Sequence, residues 1–260
     1  MLDDVKQIFI CNDTITGIFS AIYDAWKTGH DIDHIGIAII DNYEQTLFCT
    51  YEKVIETSQK AVAVENLIKK NLGMDAYMDI FYATVSVDKS KGNAILGAML
   101  EAKQIPNSKK IMDHLSNAYV RKVFELSRNV AHEAHLFTGF VRFRELSNKV
   151  LFSEITPKNQ ILVCIADHFA DRLPLENWMI YDKTNKVFLV HQAGKKWVLV
   201  IGEEPDLNMI TEISDSEQHF AQLWNGFCKS ISIEERYSIH RQKSHLPLRY
   251  QQDMVEFQIK

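Results

Sequence analysis

The sequence predicts an α+β protein: a helical N-terminal and middle region packed on a mainly antiparallel sheet, with C-terminal helices. Three observations carry this. Apolar residues recur at helical spacing through most of residues 58–139, the pattern then changes to short apolar runs separated by turn residues up to residue 201, and two capping signals reopen helices beyond residue 214. The charge divides as well: residues 1–107 carry 9 Lys+Arg against 15 Asp+Glu, leaving 20 against 19 for residues 108–260. The expected organisation is therefore an N-terminal α/β and helical lobe, 1–107, closely associated with 108–260, which holds a long helix, the antiparallel sheet and a basic C-terminal helix.

Taken in order, Gln7–Cys11 reads as an opening strand, and Asn12-Asp13-Thr14 caps a helix through Ile18, Ile22 and Trp26 that Gly29 ends. Ile35–Ile40 is a continuous apolar run suited to a buried strand, and Thr46–Tyr51 is a second strand able to pair with it. Ala61, Val64, Leu67, Ile68 and Leu72 mark a helix over Ser58–Leu72. A third follows around Tyr77–Val85 and a fourth over Ala94–Ala102, before Pro106 breaks the chain. Leu115, Tyr119, Val123, Leu126, Val130 and Ala134 give the long helix its apolar stripe, and Gly139 is expected to stop it. Phe140–Leu146 and Val150–Ile155 read as a hairpin around Ser147-Asn148-Lys149, and Thr156-Pro157 as the start of a helix through Phe169. Trp178–Asp182, Val187–His191 and Trp197–Ile201 complete the sheet. Ser214-Asp-Ser-Glu217 is a capping box, and Ser232-Ile-Glu-Glu235 repeats it ahead of a helix carrying Arg236, His240, Arg241 and Lys243.

At 260 residues the chain can bury a core without staples. Its four cysteines are far apart and form no Cys-x-x-Cys pair, and no signal-peptide pattern opens the chain, so reduced thiols in a cytoplasmic protein are expected. The apolar runs are too short for a spanning helix, which needs about 18 residues, so no membrane partner is expected. A net charge of −5 excludes a protein basic over its whole surface.

Cations collect at two places. Arg128, His132 and His135 stand at i, i+4 and i+7 on one face of the long helix, and Arg142 and Arg144 are two apart on the strand that follows. If these faces converge they form an anion-binding corner, with phosphate as first candidate; the bland alternative is a solvated strand face beside a helix end favourable to positive charge. The second place is Arg236–Tyr250, with four Lys+Arg, two His, two Tyr and no acid. There Arg241, His245, Arg249 and Tyr250 suit phosphate contact with ring stacking, against the alternative of a solvated terminal helix. His132-Glu-Ala-His135 is one residue short of the His-Glu-x-x-His metalloprotease spacing, and no metal is assigned to it. Phosphate-loop, dinucleotide, nucleophile-elbow and iron–sulfur motifs are absent from the sequence, so no cofactor is expected and no nucleophile–base pair can be named.

Ser20-Ala-Ile-Tyr-Asp-Ala-Trp26, the corner His132–Leu146 and the ending His245-Leu-Pro-Leu-Arg-Tyr250 together resemble the bacterial probable DNA metabolism proteins encoded beside a radical-SAM protein. In related proteins a domain similar to residues from about 90 onward is joined to a uracil-DNA-glycosylase-like domain. The resemblance implies DNA repair or modification by association and a shared site formed by the corner and the ending; it transfers no catalytic residue. The expected function is a DNA repair or modification accessory protein that binds nucleic acid and works with a radical-SAM partner. Two alternatives stay beside it: a glycosylase- or nuclease-like enzyme using His132 or His135, and a scaffold that binds only protein.

Overall fold

The computed structural model describes residues 5–40, 43–202, 212–236 and 238–258. The fold is α+β, and the chain divides into two compact units, Met1–His132 and Glu133–Lys260. The charge-based boundary at residue 107 lies ahead of this division, because the long helix gives Val120, Val123 and Leu126 to the core of the first unit.

The first unit has a sheet of its own. Strand β1 (Lys6–Cys11) lies between β2 (Ile35–Ile39) and β3 (Cys49–Lys53), parallel to both. The mainly antiparallel sheet expected from the sequence is that of the second unit; here the almost wholly buried Ile-Gly-Ile-Ala-Ile of β2 has the unbroken apolar character of a strand covered on both faces, as parallel strands are. Helix α1 (Ile15–Thr28) begins where the Thr14 hydroxyl accepts the Gly17 amide, and ends at Gly29, whose φ of 75° is open to a residue without a Cβ. Helices α2 (Ser58–Asn71), α3 (Met74–Thr84) and α4 (Lys91–Glu101) add Ile68, Ile80, Ile95 and Leu96 to the core. Lys91, buried at the start of α4, is ion-paired with Asp13 and donates to the Ser86 carbonyl at 2.5 Å. A 3-10 turn, Ser108–Asp113, leads to α5 (Ala118–Phe140).

Helix α5 runs through Gly139 instead of stopping there. Val141 still donates to the Phe137 carbonyl at 3.1 Å, and Phe137 and Phe140 both pack on Tyr250. Glycine inside a helix costs about 1 kcal/mol, less than the roughly 1.5–3 kcal/mol gained by fully burying one Phe side chain. The expected strand over Phe140–Leu146 is correspondingly reduced to β4 (Arg144–Glu145).

In the second unit β4, β5 (Leu151–Ile155), β6 (Trp178–Asp182), β7 (Val187–His191) and β8 (Val198–Ile201) follow one another across the sheet. Pairing is antiparallel except between β5 and β6, which are parallel and joined by α6 (Leu162–Arg172). The expected helix start at Thr156-Pro157 falls instead in a loop, and α6 begins five residues beyond Pro157 because that loop is tied to Glu133. Helix α7 (Asp215–Ser230) has Ser214 as its cap. The Ser232 signal opens only a 3-10 turn, Glu234–Arg236, and Ser238 caps α8 (Ile239–His245) after it; Tyr237, counted in the basic stretch, lies outside the described residues. Short helices α9 (Leu248–Gln251) and α10 (Val255–Gln258) follow.

Close packing of α4 on α5 gives a test. A Cβ at Gly97 would lie 2.3 Å from Cγ of Tyr119, at the base of the ring where the side chain has least freedom to yield. Gly97→Ala is expected to lower unfolding free energy by about 1–3 kcal/mol by overpacking, read from the midpoint of urea denaturation. A midpoint equal to the wild type's would show that Tyr119 yields at no cost.

Candidate nucleic-acid interface

The corner and the ending meet through a residue between the two histidines. Glu133, only 3% exposed, lies three residues after Val130 and four before Phe137, on the apolar face of α5. Its Oε1 accepts the Lys158 amide at 2.9 Å, and its Oε2 accepts the Asn159 amide at 2.9 Å and Asn159 Nδ2 at 2.6 Å. Arg249 Nη1 stands 2.9 Å from Oε1. The buried carboxylate thus has a cation and three N–H donors, the condition under which a buried charge is tolerated. Tyr250 is buried beside this group, edge-on to Phe137 with ring centres 5.0 Å apart and tilted against Phe140 at 5.1 Å. The Arg249 guanidinium lies over the Tyr250 ring, 4.4 Å from its centre, and donates to the Tyr250 hydroxyl. Burial pushes the Tyr250 phenol above its ordinary pKa.

The corner arginines are also engaged. Arg142 donates to Glu256 Oε1 from Nε at 3.1 Å and Nη2 at 2.9 Å, and to the Gly139 carbonyl at 2.8 Å. Arg144 donates to Glu154 at 3.3 Å and lies over the Phe152 ring, 5.1 Å from its centre. Arg142 precedes β4 and Arg144 opens it, yet both line one pocket of about 190 Å3, together with Phe143, Glu154, Glu217 and Asp253. Two guanidiniums face three carboxylates there, so the pocket lacks the excess positive charge that an anion site requires. Glu256 Oε2 is buried and has no hydrogen-bond partner among the described residues, which adds negative charge behind Arg142.

The remaining cations are more open. Arg236, Arg241 and His245 are exposed and line a broad groove of about 450 Å3 with Ser232, Ser238 and Gln242; among the described residues that line it there is no carboxylate. Ile231, Ile233 and Leu246 form its apolar part. Ser238 shapes the groove by capping α8, its hydroxyl accepting the Arg241 amide at 3.4 Å. Arg128, His132 and His135 are exposed on α5, with Arg128 5.8 Å from the centre of the Phe124 ring. Among the described residues, no group of three His, Cys, Asp or Glu side chains is arranged to hold a metal ion.

Residues 89–256 match the family model for DUF4130, a domain of unknown function. The chain belongs to the DUF4130 family. No curated protein matches it. The DUF4130 match takes in Glu133, Arg249, both arginines of the pocket and the whole basic groove. No helix among the described residues is long and apolar enough to cross a membrane.

Sequence reasoning passed over Glu133, Glu154, Asp253 and Glu256. For Glu133 a signal existed: a lone acid between Val130 and Phe137 on the buried face of a helix needs a partner, and the ending offers Arg249. The partners of Arg142 and Arg144 are set by pairing between elements, which spacing does not reveal.

Two tests follow from this geometry. Glu133→Ala leaves the Lys158 and Asn159 amides without their acceptor and Arg249 without its partner, and is expected to cost about 3–5 kcal/mol in urea denaturation. A loss below about 1 kcal/mol would place the ion pair among weak surface pairs. Lys149, with Ser214 and Ser216, lowers the Glu145 carboxyl from 4.5 to about 2. Because the folded value is depressed, this contribution is present above pH 4.5 and is lost as pH falls through about 2. Glu145→Gln is therefore expected to flatten the fall in melting temperature over that interval; an unchanged slope would assign the acid sensitivity elsewhere.

Proposed function

We propose that this protein binds nucleic acid through its basic C-terminal groove and serves as an accessory in DNA repair or modification, working with a radical-SAM partner. The observation that carries the first part is the groove of Arg236, Arg241 and His245, whose described lining residues include three cationic or titratable donors and no carboxylate. Guanidiniums that line a groove are suited to phosphate, and although Glu234 and Glu235 precede Arg236 in the chain, no acid is among the described residues that line it; the hydroxyls of Ser232 and Ser238 and the amide of Gln242 supply neutral donors of the kind that fix a backbone in register. Ile231, Ile233 and Leu246 offer an apolar floor for sugar or base edges. Arg128, His132 and His135 are exposed on α5 as well. The resemblance to DNA metabolism proteins supports DNA over other polyanions and is the whole support for the radical-SAM partner.

Within this reading Arg249, Arg142 and Arg144 have a different part. Each holds a carboxylate of the second unit, so each supports the fold near the interface instead of neutralising phosphate. The experiment is fluorescence anisotropy with single- and double-stranded DNA over a salt series. Arg236→Ala and Arg241→Ala are each expected to weaken binding and to lower the salt slope by about 0.7–0.9 for every phosphate left without its cation. Binding that is absent at low salt, or that keeps its slope in both variants, would remove the groove from the interface.

A further inference from the structure

The pocket between Arg142 and Arg144 has a chemistry unlike that of the groove. It is smaller than the roughly 300 Å3 at which pockets for drug-sized ligands begin, and its size suits a single ring system. Its charges are balanced toward the acidic side, with Arg142 and Arg144 against Glu154, Glu217 and Asp253. A phosphate entering it would meet three carboxylates; a neutral polar group would meet donors and acceptors together. Glu154 uses one oxygen for Arg144 and Glu217 uses one for the Glu145 amide, so these two carboxylates retain a second oxygen, while Asp253 has one oxygen on Thr156 and the other on Lys183. Phe143 is half-buried in the wall, its ring edge-on to the core rings of Phe169 and Trp178, and the planar guanidiniums of Arg142 and Arg144, each already beside one aromatic ring with its centre 5.8 and 5.1 Å away, add flat surface. Ser153, 2% exposed and also in the wall, has a hydroxyl without a hydrogen-bond partner among the described residues.

We infer that this pocket receives one unstacked nucleobase of a bound nucleic-acid strand. A nucleobase is neutral and planar and carries donors and acceptors on its edges, matching carboxylates and guanidiniums on the wall with an aromatic ring beside them. The inference rests on the nucleic-acid reading of the groove and adds what that reading lacks, a position at which a base rather than the backbone is held. Recognition by carboxylate acceptors favours an edge rich in N–H donors.

The test uses the full chain and a single-stranded oligonucleotide with one internal 5-iodocytosine, a base analogue that carries the N4 amino donor and photocrosslinks to aromatic side chains in contact with it. Anisotropy is read on the same samples. The expected result is a crosslinked peptide containing Phe143. Ala221→Phe, which places a ring in the pocket from α7, should lower its yield about tenfold at oligonucleotide concentrations that saturate the groove, as read by anisotropy. Ala221→Leu, a smaller filling on the same helix, should lower the yield in the same direction. Binding accompanied by crosslinks only outside the pocket, or by a Phe143 crosslink undiminished in both variants, overturns the base pocket and leaves the groove standing. No anisotropy change at low salt overturns the groove reading and the base pocket with it.

Discussion

Much of the second unit depends on keeping the Glu133 carboxylate charged and paired away from water. Isolated in the interior, that charge would be unsustainable; here the loop ahead of α6 donates two backbone amides and an Asn159 side-chain amide, and Arg249 closes the group from the C-terminal end. The requirement runs in both directions along the chain. It holds the loop before α6 in place, and it draws the ending against α5, where Tyr250 is buried between Phe137 and Phe140. The charged group thus provides specificity of position and the aromatic cluster provides most of the apolar burial.

The same logic separates structural arginines from available ones. Arg142, Arg144 and Arg249 are half-buried and each faces an acid, whereas Arg236 and Arg241 are exposed in a groove with no acid among the described residues that line it. Composition cannot make this distinction, since all five belong to basic stretches of the sequence. Distance to a carboxylate makes it directly, and it moves the centre of the proposed interface from the helix–strand corner to the C-terminal groove.

The elements were largely legible. Thr14 and Ser214 cap the helices their positions suggest, Gly29 ends α1, and the runs at residues 178–182 and 187–191 are neighbouring strands. What failed did so for tertiary reasons. Gly139 carries a stop signal that the docking of Phe137 and Phe140 overrides, Pro157 sits in a loop that Glu133 holds open, and the second capping signal at Ser232 yields to Ser238. The parallel arrangement of β1, β2 and β3 was half legible: the apolar run of β2 reported burial on both faces, but strand direction depends on where α1 returns the chain. Of the site, the cations could be read from the sequence and their acidic partners could not, because Glu154, Asp253 and Glu256 belong to segments whose approach spacing does not encode.

The family match begins at residue 89, whereas the first compact unit ends at His132. The matched stretch therefore opens inside a core that it does not complete. Ile95, Leu96, Val120 and Val123 are buried in the same cluster as Phe9, Ile18 and Ile37, all of which precede the match. A polypeptide carrying residues 89–256 alone would present that apolar face to water, a surface of the kind that drives association. In this chain the three-stranded sheet and α1 cover that face, so the segment ahead of the match and residues 89–132 complete one core together.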